Sequence, residues 1–407
     1  MTQLSYLPAD HPIHRVSPDL LTRIKSAQDQ AFPRCFGNAF DFLSLVLSQL
    51  KLAVGVPQKL RDVCATEFTD QSFGEFRSYI VSLLESEKYP AQAIPRTAEN
   101  VATRAMLLRA YAEPDAAVAY VKAKVLEVAA SFPRTAKQIE VGKNPGDVLD
   151  PFILAATQYL LQGGEFEPAI SATVSHKAIM MIEGLMGHLH EDTLGMMRGN
   201  VRIPEPRGEE QEQHNYLTNP FPGADLLQPP LSEGEPLRFH QIKSKTGSAK
   251  GGDGKRLGIQ LEFLKDHYQG EIYYDALIGN TLVGHRSKAG VEKAAPSVRV
   301  LVGQAAFKEL TRSNHGASLL LRIYHEAFIA TATETGYTIL EVTEAIVAEF
   351  RQRAEAAGET YLETILDTSI SGPAANQDSA IFNAARTARR GGKAKAATGL
   401  GTLFEEE

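Results

Sequence analysis

The sequence predicts a protein of the mixed α/β (α+β) class, with a mixed β-sheet core flanked by helices and a large N-terminal helical lobe. Three observations support this prediction. Apolar residues recur at intervals of three and four along residues 1–165, which is typical of packed helices. Residues 224–313 alternate between strand-like and helix-like patterns. Residues 317–370 return to helical spacing.

The N-terminal lobe, residues 1–165, is predicted as a series of helices separated by proline and glycine. Ser17-Pro18-Asp19 is a typical helix start, because serine caps the first backbone amides and proline suits the first helical position. Further helical runs are predicted at residues 36–55, 73–89, 99–112, 115–132 and 147–164. The lobe carries no chemical motif, and packing, target recognition and oligomerisation remain its three possible roles.

A long helix is predicted over residues 171–198, ending at Gly199-Asn200. One apolar stripe runs along it, formed by Ile179, Ile182, Met186 and Leu189. Glu183 lies inside this stripe. Because a buried carboxylate is unfavourable unless it is paired or bound to metal, Glu183 is a candidate metal ligand. The alternative is a carboxylate at the edge of the stripe that forms a salt bridge.

Two adjacent strands are predicted at residues 224–230, with Asp225 near the start, and at residues 237–245. Side chains alternate along a strand, so Gln241 and Lys243 share one face while Ile242 points into the fold on the other. A helix at 254–268, strands at 271–284 and 297–303, and a helix at 304–313 follow. This order predicts a mixed sheet flanked by helices.

Asp225, Gln241 and Lys243 have the side chains that metal-dependent hydrolysis of a phosphodiester needs. Mg²⁺ prefers oxygen ligands, usually one or two carboxylates together with phosphate and water. A nearby lysine orients the attacking water and offsets the negative charge of the transition state. We therefore expect Asp225 and Gln241 to bind Mg²⁺, Lys243 to act on the water, and Glu183 to add a second carboxylate.

This arrangement resembles the PD-(D/E)XK nuclease superfamily and, within it, the type II restriction endonucleases. The matching residues are Glu183, Pro222-Gly223-Ala224-Asp225 and Gln241-Ile242-Lys243, and the resemblance covers about residues 170–313. It implies a restriction-endonuclease-like core within residues 166–370. It also implies a Mg²⁺-dependent, site-specific endonuclease that cuts double-stranded DNA, usually as a homodimer.

Two features depart from the pattern of that superfamily. An acid is usual at the position of Gln241, so one metal-binding charge is missing, and the proline lies three residues before Asp225 rather than next to it. Either Gln241 binds through its carbonyl, or Glu183 or Glu262 compensates, or the site is inactive. A second register pairs Lys243 with Lys245 and takes Glu262 from the next helix, but it leaves the strand without a ligand.

The alternative function is that of a non-catalytic DNA-binding protein that retains a nuclease fold. The formal net charge of −7 argues mildly against nucleic acid as a partner. Between Arg238 and Arg256, however, six basic residues stand against one acid, Asp253. The candidate DNA-binding residues are Arg202, Arg207, Lys245, Lys250, Lys255 and Arg256.

Other classes of protein find less support in the sequence. Residues 249–256 match a nucleotide-binding phosphate loop at only two of its four fixed positions, and no G-x-S-x-G motif of a serine hydrolase is present. Two cysteines, no signal-peptide pattern and no apolar run of about 18 residues predict a reduced, cytoplasmic protein outside the membrane. Residues 371–407 read as a flexible basic tail.

Overall fold

The computed structural model describes residues 4–32, 34–63, 73–129, 150–204, 213–245, 253–279, 286–336 and 339–357, together with the single positions 206, 360, 362 and 366. In this part of the chain there are twelve α-helices and one five-stranded sheet, which confirms the mixed α/β class. The predicted tail, residues 371–407, lies outside the described residues.

The chain divides into two compact units, each built from two separate segments. The first comprises residues 1–118 and 190–324, and the second comprises residues 119–189 and 325–407. These units do not coincide with the predicted division into residues 1–165, 166–370 and 371–407. The long helix that was predicted as one element contributes to both units.

The N-terminal part is helical, as predicted. Its helices are α1 (Pro18–Gln30), α2 (Ala39–Gln49), α3 (Phe73–Ser86), α4 (Ile94–Ala110), α5 (Pro114–Ala129) and α6 (Pro151–Ala156). Short 3₁₀ turns occur at Pro12–Arg15 and Gln58–Asp62, and a π-helical turn, Thr157–Leu161, follows α6. Ser17 caps α1 as predicted, since its hydroxyl accepts a hydrogen bond from the Leu20 amide at 3.3 Å.

The helix α7 (Phe166–Gly195) leads into the strands of the sheet. The strands are β1 (Val201–Arg202), β2 (Leu226–Gln228), β3 (Arg238–Lys245), β4 (Glu271–Ile278) and β5 (Arg299–Val302). The later helices are α8 (Asp253–Tyr268), α9 (Arg286–Ala294), α10 (Gln304–Thr311), α11 (Gly316–Thr335) and α12 (Ile339–Ala357). None of the helices in the described segments is long and apolar enough to cross a membrane.

The sheet has the strand order β1-β2-β3-β4-β5. The pairs β1–β2 and β2–β3 are antiparallel, whereas the pairs β3–β4 and β4–β5 are parallel. Leu226 of β2 pairs with His240 of β3, so Asp225 enters the sheet beside Gln241. Parallel strands cannot be joined by a tight turn, and α8 provides the longer connection from β3 to β4.

Helices cover both faces of β3. On one face Phe239 packs in a core with residues of α1 and α8, including Ile24, Leu261 and Tyr268. On the other face Gln228 and Arg238 form hydrogen bonds to residues of α10. Gln241 and Ile242 are consequently both buried, with 3% and 2% of their surfaces exposed. A second apolar cluster joins α2, α3 and α4 in the same unit.

The apolar stripe predicted along α7 is buried only at Leu189, whereas Met186 is half-buried and the two isoleucines are exposed. Ile179 and Ile182 are 54% and 41% exposed, and Glu183 is also exposed. The residues that α7 does bury include Val174, Ala178, Leu185 and Leu189, whose spacing defines a different face of the helix. The prediction that Glu183 lies on a buried face is therefore wrong.

Candidate active site

A tight turn directs the chain into β2 immediately before Asp225. The Ala224 amide donates a hydrogen bond to the Phe221 carbonyl at 3.2 Å, with Pro222 and Gly223 at the two central positions. Gly223 has φ +80°, as the third residue of a type II turn requires, and proline is favoured at the second. This turn explains why the proline lies three residues before the acid.

Gly223 is also required by its surroundings. A Cβ atom at this position would lie 3.0 Å from Cβ of Gln260, a buried residue of α8. The turn can therefore approach α8 closely only because glycine has no side chain. This contact fixes the turn, and with it the start of β2.

The carboxylate of Asp225 is held by the neighbouring strand β3. Its Oδ2 accepts hydrogen bonds from the Ile242 amide at 2.7 Å and from Nε2 of Gln241 at 2.5 Å. The Asp225 amide donates to the His240 carbonyl at 2.7 Å. Asp225 is only 2% exposed, so the structure brings Asp225 and Gln241 together in a buried position.

Lys243 follows two residues after Gln241 on β3 and is half-buried. Strand alternation places Lys243 on the same face as Gln241. Its positive charge is close enough to Asp225 to lower the pKa of that carboxyl. Lys243 therefore supplies a cation beside the buried carboxylate.

Arg202 of β1 connects Asp225 to two further carboxylates. Its guanidinium forms an ion pair with Glu191, an ion pair with Asp192 at 3.0 Å, and approaches Oδ1 of Asp225 at 3.8 Å. Burial lowers the pKa of Arg202. The three carboxylates raise it by a larger amount, so the net shift of this pKa is upward. We refer to Glu191, Asp192, Arg202 and Asp225 as the carboxylate cluster.

The pKa of Asp225 is raised to about 7. Burial is the largest cause, because the charged carboxylate loses its hydration, and the negative charge of Glu191 adds to the increase. Arg202, Lys243 and the Ile242 amide oppose it. Asp225 therefore exchanges its proton near neutral pH, and a cation that binds there competes with that proton.

Glu191, rather than Glu183, is the helix carboxylate of this cluster. Glu183 belongs to the second unit and its side chain is exposed, whereas Glu191 lies in the last turns of α7, just before β1. The signal in the sequence that could have identified Glu191 and Asp192 is their position only about ten residues before the first strand, which gives them a short path to the sheet.

The predicted DNA-binding residues have different surroundings. Lys255 and Arg256 are exposed in the first turns of α8, and Arg256 also donates a hydrogen bond to Gln260 at 3.3 Å. Arg202 is engaged within the carboxylate cluster, with 18% of its side chain exposed, which disfavours the predicted contact with DNA. Arg207 and Lys250 lie outside the described residues, as does the side chain of Lys245.

The second register, in which Glu262 would serve the site, is disfavoured by the contacts of this residue. Glu262 accepts hydrogen bonds from Lys265 at 2.8 Å and from the Ser297 hydroxyl at 2.9 Å. Burial raises the pKa of Glu262, but these hydrogen bonds outweigh it and the net shift is downward. Glu262 thus stabilises the end of α8 against the segment before β5.

A buried histidine and a buried aspartate, His240 and Asp275, form a pair on the face of β3 opposite Gln241. The sequence alone did not indicate this pair. Nδ1 of His240 and Oδ2 of Asp275 are 2.9 Å apart, and both side chains are fully buried. Burial raises the pKa of Asp275. This pair links β3 to β4, and it could not be identified before the parallel pairing of these strands was known.

Two kinds of oxygen atom lie around the amide nitrogen of Gln241. Nε2 of Gln241 contacts both Oδ2 of Asp225 and, at 3.4 Å, the carbonyl of Ile242. An electropositive amide group thus lies between a carboxylate and a carbonyl, which are oxygen donors of the kind that Mg²⁺ prefers. The described residues contain no group of three His, Cys, Asp or Glu side chains arranged for a metal, so amide and carbonyl oxygens would have to contribute.

A scan against models of protein families found no match to this chain, and a search of curated protein sequences found no similar protein.

Proposed function

We propose that the protein is a Mg²⁺-dependent, site-specific endonuclease that hydrolyses phosphodiester bonds of double-stranded DNA, with a restriction-endonuclease-like core. The observation that carries this proposal is the contact between Asp225, at the start of β2, and Gln241 of the Gln-x-Lys segment on the adjacent strand. A buried acid, a neutral oxygen donor and a lysine are thereby combined at one place in the sheet.

Asp225 and Gln241 would hold the cation. When bound, Mg²⁺ supplies a Lewis acid that polarises the phosphate and lowers the pKa of a water molecule. The amide of Gln241 has both a donor and an acceptor end, so a rotation of about 180° around its last bond presents oxygen instead of nitrogen. The residue can thus bind Asp225 without metal and serve as a neutral ligand with it.

Lys243 would orient the attacking water and offset the negative charge that develops on the phosphate. Lys243 lies two residues after Gln241 on β3, so its charge would be close to the groups proposed to bind the cation. Glu191 would tune the site by raising the pKa of Asp225. Glu191 is thereby the helix carboxylate near Asp225 that Glu183 was expected to be.

Duplex DNA is the proposed substrate, and a homodimer acting in the cytoplasm is the proposed form of the protein. The exposed Lys255 and Arg256 at the start of α8 would contact the phosphate backbone. Binding through such contacts depends strongly on salt, because each one releases counterions from the DNA. Substitution of both residues by alanine should weaken binding at all sequences alike.

The test is incubation of the full chain with supercoiled plasmid DNA of mixed sequence and Mg²⁺. The proposal expects discrete fragments, loss of cleavage in EDTA and loss of cleavage in a Lys243→Ala variant. Lys308→Ala is the matched control, because Lys308 is an exposed lysine on α10 of the same unit. Uncut plasmid under all metal and salt conditions would contradict the proposal.

The second candidate function is non-catalytic DNA binding by a protein with a nuclease-like fold. The neutral Gln241, bound to Asp225 through its amide nitrogen, is the observation that favours it. In that case Lys243 and the basic residues of α8 would only hold phosphates. Salt-sensitive binding of DNA without cleavage, unchanged by Mg²⁺, would support this candidate over the endonuclease.

A further inference from the structure

Arg202 makes more contacts within the carboxylate cluster than a surface arginine would. Nε donates to Asp192, Nη2 donates to Glu191, and Nη1 donates to the carbonyls of Ile203 at 2.7 Å and Asp225 at 3.0 Å. All three nitrogens of the guanidinium are therefore engaged. Since the planar fork of arginine matches carboxylates in fixed directions, this arrangement holds the cation in one place.

The backbone around Arg202 is built for this position. A Cβ atom on Gly195, the last residue of α7, would lie 2.5 Å from Cβ of Arg202. The end of the helix can therefore approach β1 only because residue 195 is glycine. The Arg202 carbonyl also accepts a hydrogen bond from Arg23 of α1 at 2.9 Å.

The charges of the site follow from these contacts. Glu191, Asp192 and Asp225 carry three negative charges when ionised, and Arg202 and Lys243 carry two positive charges, which leaves a net charge of −1. One divalent cation changes this to +1, whereas two would give +3 in a partly buried site. Like charges repel strongly where water is excluded, so the second cation is disfavoured.

From this geometry we infer that Arg202 is a built-in second cation, so that the site takes one divalent metal ion, held on the Gln241 side of Asp225. Arg202 is a positioning residue in this account, because it neutralises Glu191 and Asp192 and leaves Asp225 as the carboxylate for the metal. This inference rests on the proposed function, because it concerns the metal cofactor of the proposed endonuclease. It adds to that proposal the number of metal ions that the site binds.

The experiment is a titration of the purified full chain with Mn²⁺ alone, without DNA, in which free Mn²⁺ is measured by electron paramagnetic resonance. Mn²⁺ accepts the same oxygen ligands as Mg²⁺. We expect one bound ion in the native protein and in Arg202→Lys, which keeps the charge. Arg202→Gln, which removes it, should bind a second ion. Two ions in the native protein, or one in Arg202→Gln, would overturn the inference.

A second variant tests the inference even if the Arg202→Gln protein does not fold. In Asp192→Asn the guanidinium remains, and because Asp192 is already paired with Arg202, the Mn²⁺ affinity should change less than about threefold. A loss of about tenfold or more, as expected if Asp192 bound the metal or supported a residue that binds it, would contradict the inference. If the native protein binds no Mn²⁺ and cuts no DNA, the proposed function fails as well; if it cuts with Mg²⁺ but binds two ions, only the inference fails.

Discussion

Oδ2 of Asp225 and the amide nitrogen of Gln241 lie 2.5 Å apart where the chain enters β2 alongside β3. Both side chains are buried, so this contact replaces hydration for each of them. The contact joins the acidic side chain of Asp225, at the start of β2, to a glutamine side chain, which carries no charge. The behaviour of the site should therefore depend on the charge at position 241.

Gln241→Glu should increase the affinity for Mg²⁺ by about tenfold or more and increase DNA cleavage, because a second carboxylate is added next to Asp225. Without metal the two carboxylates repel each other, so the melting temperature in EDTA should fall and Mg²⁺ should restore it. Calorimetric titration and thermal unfolding measure these effects.

The control for this change is Gln228→Glu, which introduces an acid at another fully buried glutamine of the same sheet. Gln228 donates its hydrogen bonds to Asn200 and to the carbonyl of Leu310, away from the contacts of Asp225. This variant should also lose stability, but Mg²⁺ should not restore it. Equal rescue of both variants by Mg²⁺ would show that position 241 has no special relation to the metal.

The affinity for Mg²⁺ should rise with pH up to about 7 and then level off, because the cation competes with the proton of Asp225, whose pKa is about 7. The same shift has an effect on stability. The folded protein holds this proton more tightly than the unfolded chain, whose aspartates titrate near 3.9, so the contribution of Asp225 to stability decreases as pH rises from about 4 to 7.

Both effects should be absent from Asp225→Asn, which retains an acceptor oxygen for the Ile242 amide but does not titrate. Titrations with Mg²⁺ between pH 5.5 and 8.5, and unfolding in EDTA over the same range, compare the two proteins. At pH 8 the variant should melt a few degrees above the native protein. A Mg²⁺ affinity in the native protein that is independent of pH would show that Asp225 is not the ligand that titrates.

Gly223→Ala should destabilise the protein more than Gly234→Ala. The two glycines have nearly the same φ, +80° and +82°, so alanine is strained at both by roughly 1 kcal/mol. Only at Gly223 would the new Cβ meet a side chain, at 3.0 Å from Cβ of Gln260, while nothing lies within 4 Å at Gly234. Denaturant unfolding should show the difference, and equal losses would contradict the close packing of the turn on α8.

Gly195→Ala tests the position of Arg202. Alanine ordinarily stabilises a helix relative to glycine by up to about 1 kcal/mol. At residue 195 it should instead destabilise, because the new Cβ would lie 2.5 Å from Cβ of Arg202. Gly74→Ala in α3, where nothing lies within 4 Å, is the control and should be neutral or stabilising. A stabilising effect at both positions would show that α7 does not approach β1 as closely as described.

The strands and the contact of Asp225 with Gln241 could be predicted because they depend on local features. The proline-glycine turn, the strand pattern of residues 237–245 and the connecting helix are all encoded within short segments. Glu191 could not be chosen over Glu183 from periodicity, because the buried face of α7 depends on what packs against it. The role of Arg202 was likewise missed, since an arginine among three carboxylates is visible only once helix and strand are placed together.

Cleavage of plasmid DNA by Lys243→Ala, compared with the native protein in Mg²⁺, tests the central claim most directly. The lysine lies beside Asp225 without bonding to it, so its removal should leave the fold, and most of the DNA affinity measured in Ca²⁺, unchanged. Cleavage should fall by about 10³-fold or more, because the group that orients water and stabilises the transition state is lost. A variant that binds and cuts DNA as fast as the native protein would contradict the assignment of this site as the active site.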